Sequence, residues 1–127
     1  MRSSKKDSGK PDSPFKASYR RMTVVLPILH LLSERPMYAY QLGQEMAARS
    51  GERGYTKILL YKTLYDMEEA GYIRQGEMEL SERNQIRAYY EITESGKEHL
   101  KELLADYEDA RSSLDKILNQ PREDDVK

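Results

Sequence analysis

The sequence predicts a mainly α-helical domain with one small β-hairpin. Its order is that of a winged helix-turn-helix, with an extra helix before it and a long helix after it. Three observations predict this. Three apolar patterns with helical period occupy residues 15–70 and are separated by short breaks. Two strand-like segments joined by a polar loop follow directly. A last helical pattern, over residues 97–119, outruns what so small a core can cover. At 127 residues the chain is of single-domain size.

Residues 1–14 are rich in Ser, Lys, Asp, Gly and Pro. They carry too little apolar area to offset the entropy of ordering, so they are expected to form a flexible basic tail. Phe15–Ser33 reads as the first helix, with Met22, Val25, Leu26, Leu29 and Leu32 at three- and four-residue steps. Pro27 lies inside it and should kink the helix or begin a new segment. His30 is expected to pack or to sit partly exposed. Glu34-Arg35-Pro36 breaks the pattern. Met37–Ser50 follows as a second helix, with Tyr40, Leu42 and Met46 as its apolar side. Gly51–Gly54 is a turn-rich spacer.

Thr56–Ala70 is the helix around which the rest is organised. At about 100° per residue, Leu60, Leu64 and Met67 fall on one stripe. The other side carries Ile58, Tyr61, Lys62 and Tyr65, an uncommon mixture for a face that only meets water. Two uses fit it: pressing into the major groove of DNA, or packing beneath a neighbouring segment of the same chain. In the first, the free N–H groups at the helix start suit a phosphate. Thr56 and Lys57 would hold the backbone, and Tyr61, Lys62 and Tyr65 would supply phosphate, methyl or base-edge contacts.

Gly71 ends this helix. Tyr72–Leu80 and Ile86–Thr93 are strand candidates joined by Ser81–Gln85, which makes a wing. Arg83 and Arg87 lie at or near its tip, either reaching DNA backbone or minor groove or simply solvated. Thr93-Glu94-Ser95-Gly96 punctuates the chain. In 97–119, Leu100, Leu103, Leu104, Tyr107, Leu114, Ile117 and Leu118 form a near-heptad stripe, with Ala110 and Arg111 in its middle. That stripe is expected to be a dimer seam, with packing wholly within the chain as the other use. Pro121 stops the helix, leaving 120–127 as a loose charged end. The expected units are therefore 1–14, 15–96, 97–119 and 120–127.

Net charge is −1, so composition alone carries no nucleic-acid signal. Its distribution does: residues 1–21 hold seven Lys/Arg against two Asp, while residues 91–127 hold six basic against eleven acidic residues. There is no Cys, hence no disulfide, thiolate metal site or Cys nucleophile. Two isolated histidines and no phosphate-cradling Gly-rich loop leave no catalytic or metal constellation, so neither enzyme activity, cofactor nor metal is expected. Val24–Leu32, the longest apolar run, is too short to cross a bilayer, and residues 1–14 lack a signal peptide's apolar core. A cytoplasmic protein with no membrane partner is expected.

Leu31-Leu32-Ser33-Glu34-Arg35-Pro36-Met37-Tyr38-Ala39-Tyr40-Gln41-Leu42 resembles the start of PadR-family transcriptional regulators. Leu60-Tyr61-Lys62-Thr63-Leu64-Tyr65-Asp66-Met67-Glu68, followed by Gly71-Tyr72-Ile73, is similar to their recognition helix. Arg87-Ala88-Tyr89-Tyr90-Glu91-Ile92-Thr93 with Gly96 resembles their wing strand and the turn after it. The resemblance covers roughly residues 20–100. It implies a homodimer formed through N- and C-terminal helices, repressing at a palindromic operator in double-stranded DNA. The single C-terminal helix resembles the short subgroup, some of whose members bind flat hydrophobic drugs between subunits against an aromatic residue. Tyr107, the only Phe, Trp or Tyr in 97–119, is the position that matches, either as part of a site for a hydrophobic small-molecule effector or as seam packing. Four positions depart from the family pattern: Ala39 where Gly is frequent, Ile58 and Leu59 where small or polar residues open the helix, and Asp66 where a basic residue is common. A winged-helix module that binds another protein, without specific DNA binding, is the other function these residues allow, with Ile58, Tyr61 and Tyr65 as its hot spot.

Overall fold

The computed structural model describes residues 13–51 and 57–120. Ser13 caps the first helix, its side chain accepting from the Lys16 N–H at 3.2 Å. That helix, α1 (Pro14–Arg20), runs without a break through a π-helical turn, Arg21–Val25, into α2 (Leu26–Glu34). The π turn is the answer to Pro27. In a regular helix the proline ring would meet the carbonyl four residues back. The wider turn lets the Leu26 N–H reach the Arg21 carbonyl instead, so the chain passes the proline without a sharp break.

Two further helices complete the helix-turn-helix: α3 (Ala39–Ser50) and α4 (Lys57–Glu69). Met37, expected in the second helix, lies outside it and forms an isolated antiparallel bridge with Tyr90. The Tyr38 N–H donates to Gln41 Oε1 at 3.1 Å and marks where α3 begins. Gly71 ends α4 with a φ of 85°. The Tyr72 N–H reaches the Met67 carbonyl and the Gly71 N–H the Glu68 carbonyl, both at 3.0 Å, which is a Schellman closure. The hairpin is β1 (Ile73–Leu80) against β2 (Ile86–Ile92), antiparallel, with a register shift between Gln75 and Met78. The last helix, α5 (Glu94–Asn119), starts three residues earlier than the sequence pattern suggests. The Thr93 hydroxyl caps it by accepting from the Gly96 N–H at 3.0 Å.

One apolar core joins these elements. Ile28, Leu29 and Leu32 of α2 meet Leu42 and Met46 of α3, and Leu60, Leu64 and Met67 of α4 close over them. Ile73 seals the base of the wing. Leu100 and Leu103 of α5 belong to the same core and are buried, which corrects their expected place on a dimer seam. The reason is contact with α2, which the start of α5 crosses. The expected boundary at residue 97 therefore does not separate two packing units. Leu104, Tyr107, Leu114, Ile117 and Leu118 remain exposed along the distal part of α5. At 1.5 Å per residue the whole helix is about 39 Å long, well beyond the core. Among the described residues no helix is long and apolar enough to cross a membrane.

Candidate nucleic-acid interface

The amphipathic split of α4 is the basis of the site. With Leu60, Leu64 and Met67 committed to the core, geometry forces Ile58, Tyr61 and Tyr65 outward, where they are 81, 51 and 64% exposed. The face the sequence offered to two uses is therefore not sealed beneath the chain's own residues. Lys57 is exposed at the start of the helix. Lys62 is exposed as well, its ammonium 3.4 Å from Asp66 one turn on. Asp66 also takes the Arg20 guanidinium at 3.0 Å. The acid that departs from the family pattern thus ties α1 to α4. Thr56 lies outside the described residues.

An open trough of about 1010 Å³ runs between the start of α3, the start of α4 and the wing. It brings together Lys57, Tyr61, Arg83 and Arg87, four of the residues the sequence singled out. Lys62 and Tyr65 do not line it. The charged groups of the lining are Lys57, Arg83 and Arg87 against Glu82, and Arg87 is paired with Glu79 across the hairpin, which leaves Lys57 and Arg83 against one carboxylate in a chain whose net charge is −1. The trough is therefore a local positive surface on a near-neutral protein, the sign that suits a polyanion.

The two wing arginines differ. Arg83 sits in the turn, whose Ser81 N–H donates to the Gln85 carbonyl at 2.8 Å, with Asn84 at a φ of 60°. Its guanidinium makes no ion pair with any described residue, so it is available to an incoming anion. Arg87 is braced. It donates to its cross-strand partner Glu79 at 2.7 Å and its guanidinium carbon lies 4.0 Å over the Tyr38 ring. Tyr89 donates to the same carboxylate at 2.9 Å and meets Tyr38 edge-on. The Arg87 guanidinium, helped by the Tyr89 hydroxyl, holds the Glu79 carboxyl below the usual carboxylate range. Burial, with Glu68 and Tyr61 nearby, pushes the Tyr90 phenol at the wall of the trough upward.

Tyr38 and Tyr40 also line the trough, and neither was singled out as a site residue from the sequence. Tyr40 was expected on the apolar side of its helix, yet it is exposed while Leu42 and Met46 are buried. The signal was present: two residues at 100° each place Tyr40 about 160° from Leu42. Tyr38 is legible only from the tertiary structure, because its role depends on the distant Arg87.

The transcriptional regulator PadR-like family matches residues 28–102, more than half of the chain. A proposed transcriptional regulator from Thermoplasma acidophilum is 30% identical, with 77% of this chain and 92% of that one covered and a TM-score of 0.66. A transcriptional regulator from Clostridium thermocellum is 26% identical over 78% of this chain and 96% of its own, with a TM-score of 0.68. A PadR-like transcriptional regulator from Bacillus cereus, at 21% identity, shares the fold over 83% of this chain and 99% of its own, with a TM-score of 0.69. A search of curated proteins returns no significant match. With its helix-turn-helix, its wing and the family match over the same residues, the chain belongs to the PadR-like family of transcriptional regulators.

Proposed function

We propose that the protein is a homodimeric repressor that binds a palindromic operator in double-stranded DNA, acts in the cytoplasm and is released by a small-molecule or other signal. The observation that carries the DNA reading is the cationic trough flanked by the exposed face of α4. α4 enters the major groove with its N-terminal half. Thr56 and Lys57 hold phosphates, where the positive end of the helix dipole adds to the lysine charge. Tyr61, Lys62 and Tyr65 meet base edges, thymine methyls or the opposite backbone. Arg83 reaches forward from the wing, and Arg87 supports the wall behind it.

Dimerisation is assigned to the exposed stripe Leu104, Tyr107, Leu114, Ile117 and Leu118 of α5. Two copies related by a two-fold axis place their α4 helices in successive major grooves, about 34–36 Å apart. Tyr107 lies on that stripe, and a flat hydrophobic effector wedged beside it would change the spacing of the two α4 helices. Repression and the effector rest on the family resemblance, and no enzymatic step is part of this reading.

Selection of bound duplexes from a random pool, followed by fluorescence anisotropy at increasing salt, is the test. The expected result is a palindromic site, with affinity falling steeply as salt rises. Lys62→Ala combined with Tyr61→Ala should weaken binding and leave the dimer intact. Unchanged affinity in that double variant, or binding indifferent to salt, would favour a protein-binding module and overturn the assignment.

A further inference from the structure

The wing carries more apolar surface than a solvated hairpin needs. Register and strand alternation put Met78 opposite Ala88 and Leu80 opposite Ile86 on one side of the ribbon. Met78, Leu80 and Ile86 are 62, 63 and 72% exposed. The opposite side holds the Glu79, Arg87 and Tyr89 cluster that is tied to Tyr38. The polar side therefore braces the hairpin while the apolar side is left open. An open apolar ribbon is a standing invitation to association, and charged residues on that side would have been the ordinary protection. Met78, Ile86 and Ala88 border the same trough as Lys57, Tyr61 and Arg83. An occupant must then suit a surface that is cationic and apolar at once. Duplex DNA does: its phosphates answer the cations, while its sugars and base faces, reached through the minor groove, answer apolar side chains.

We propose that, where the wing lies over the minor groove as the DNA-binding reading has it, Leu80 and Ile86 act as an apolar wedge against a flexible pyrimidine–purine step. The protein would thus choose its sites in part by how readily they bend, at positions where it makes no base-edge hydrogen bond. Rigidity supports the idea, since a wedge must not yield. The hairpin is held at its base by buried Ile73, along its polar side by the Arg87 brace, and at its tip by the Ser81–Gln85 turn. The proposal rests on the DNA-binding reading and adds a second mode of selection to it.

The test uses the full chain and a duplex recovered by selection from a random pool, labelled at its two ends with a fluorescence-transfer pair. Wild-type protein should draw the ends together, by a bend of about 20° or more per wedge. A TA or CA/TG step should be enriched at the wing position. Leu80→Thr with Ile86→Thr keeps strand propensity, since threonine is β-branched, and both side chains are exposed, so the fold should survive. This variant should lose the bend and the step preference and bind about tenfold more weakly. Its salt slope should be unchanged, because no charge has been removed. Arg83→Gln should do the reverse, lowering the slope by about one and keeping the bend. Salt-dependent binding to an unbent duplex, or a double variant that bends as well as wild type, would overturn the wedge and leave DNA binding standing. No salt-dependent binding by wild type would overturn both.

Discussion

Leu103 and Leu114 look alike in the heptad pattern of α5, yet the structure gives them opposite surroundings. Leu103 is 2% exposed within the chain's own core, whereas Leu114 is 54% exposed. Leu103→Ala should therefore destabilise the fold itself. Truncating a fully buried leucine leaves a cavity and costs about 2–5 kcal/mol, a large share of the roughly 5–15 kcal/mol that holds a domain of this size together. Leu114→Asp should leave the folded protomer almost untouched and act on the seam. Burying a whole leucine side chain contributes about 1.5–3 kcal/mol, so covering the half that is exposed contributes about 1–1.5 kcal/mol. A two-fold interface loses this twice, about 2–3 kcal/mol, which raises the dimer dissociation constant roughly 30- to 150-fold before the cost of desolvating aspartate is added. Analytical ultracentrifugation across a concentration series, paired with urea unfolding, separates the two effects. Leu103→Ala should shift the unfolding midpoint while dimers persist in native buffer, and Leu114→Asp should yield monomers with a near-normal far-UV spectrum. A Leu114→Asp protein that stays dimeric at the lowest concentrations, or a Leu103→Ala protein of undiminished stability, would refute this division of the helix.

Gly96 is the second point of leverage on α5: a Cβ there would run into the Tyr72 carbonyl oxygen and crowd Ile92. Gly96→Ala should cost about 1–3 kcal/mol of stability, read as a lower urea midpoint, because backbone must move. Asp66→Asn should raise DNA affinity a few-fold in anisotropy at low salt, since a carboxylate beside Lys62 is removed. The lost Arg20 pair is partly exposed and should cost no more than about 1 kcal/mol. The Glu79 carboxyl is held below its usual value of 4.5 by the Arg87 guanidinium and the Tyr89 hydroxyl. A group whose pKa is depressed on folding lends its support above the unfolded value and loses it as pH falls through the folded one. The wing brace should thus be intact at neutral pH and loosen only below 4.5. Carbon-detected NMR should show the Tyr38 ring signals moving as the Glu79 carboxyl protonates, and Glu79→Gln should abolish that movement.

The order of elements was legible in the residues because local chemistry specifies each one. Leu60, Leu64 and Met67 can share a buried stripe only in a helix, Gly71 tolerates the left-handed turn that ends it, and strand-formers flank a polar turn at Ser81–Gln85. The outward face of α4 followed from the same wheel, since whatever the core does not take must point away. Three matters were beyond local chemistry. Periodicity shows that Leu100, Leu103 and Leu114 lie on one stripe, but only the crossing of α2 decides that the first two belong to the core and the third does not. Arg83 and Arg87 are equally basic in the sequence, but pairing across the hairpin and the Tyr38 ring turn the second into a brace. The trough itself joins α3, α4 and the wing, segments far apart along the chain. Its charge is a sum over residues that only the packed fold brings face to face, and no local pattern can contain that sum.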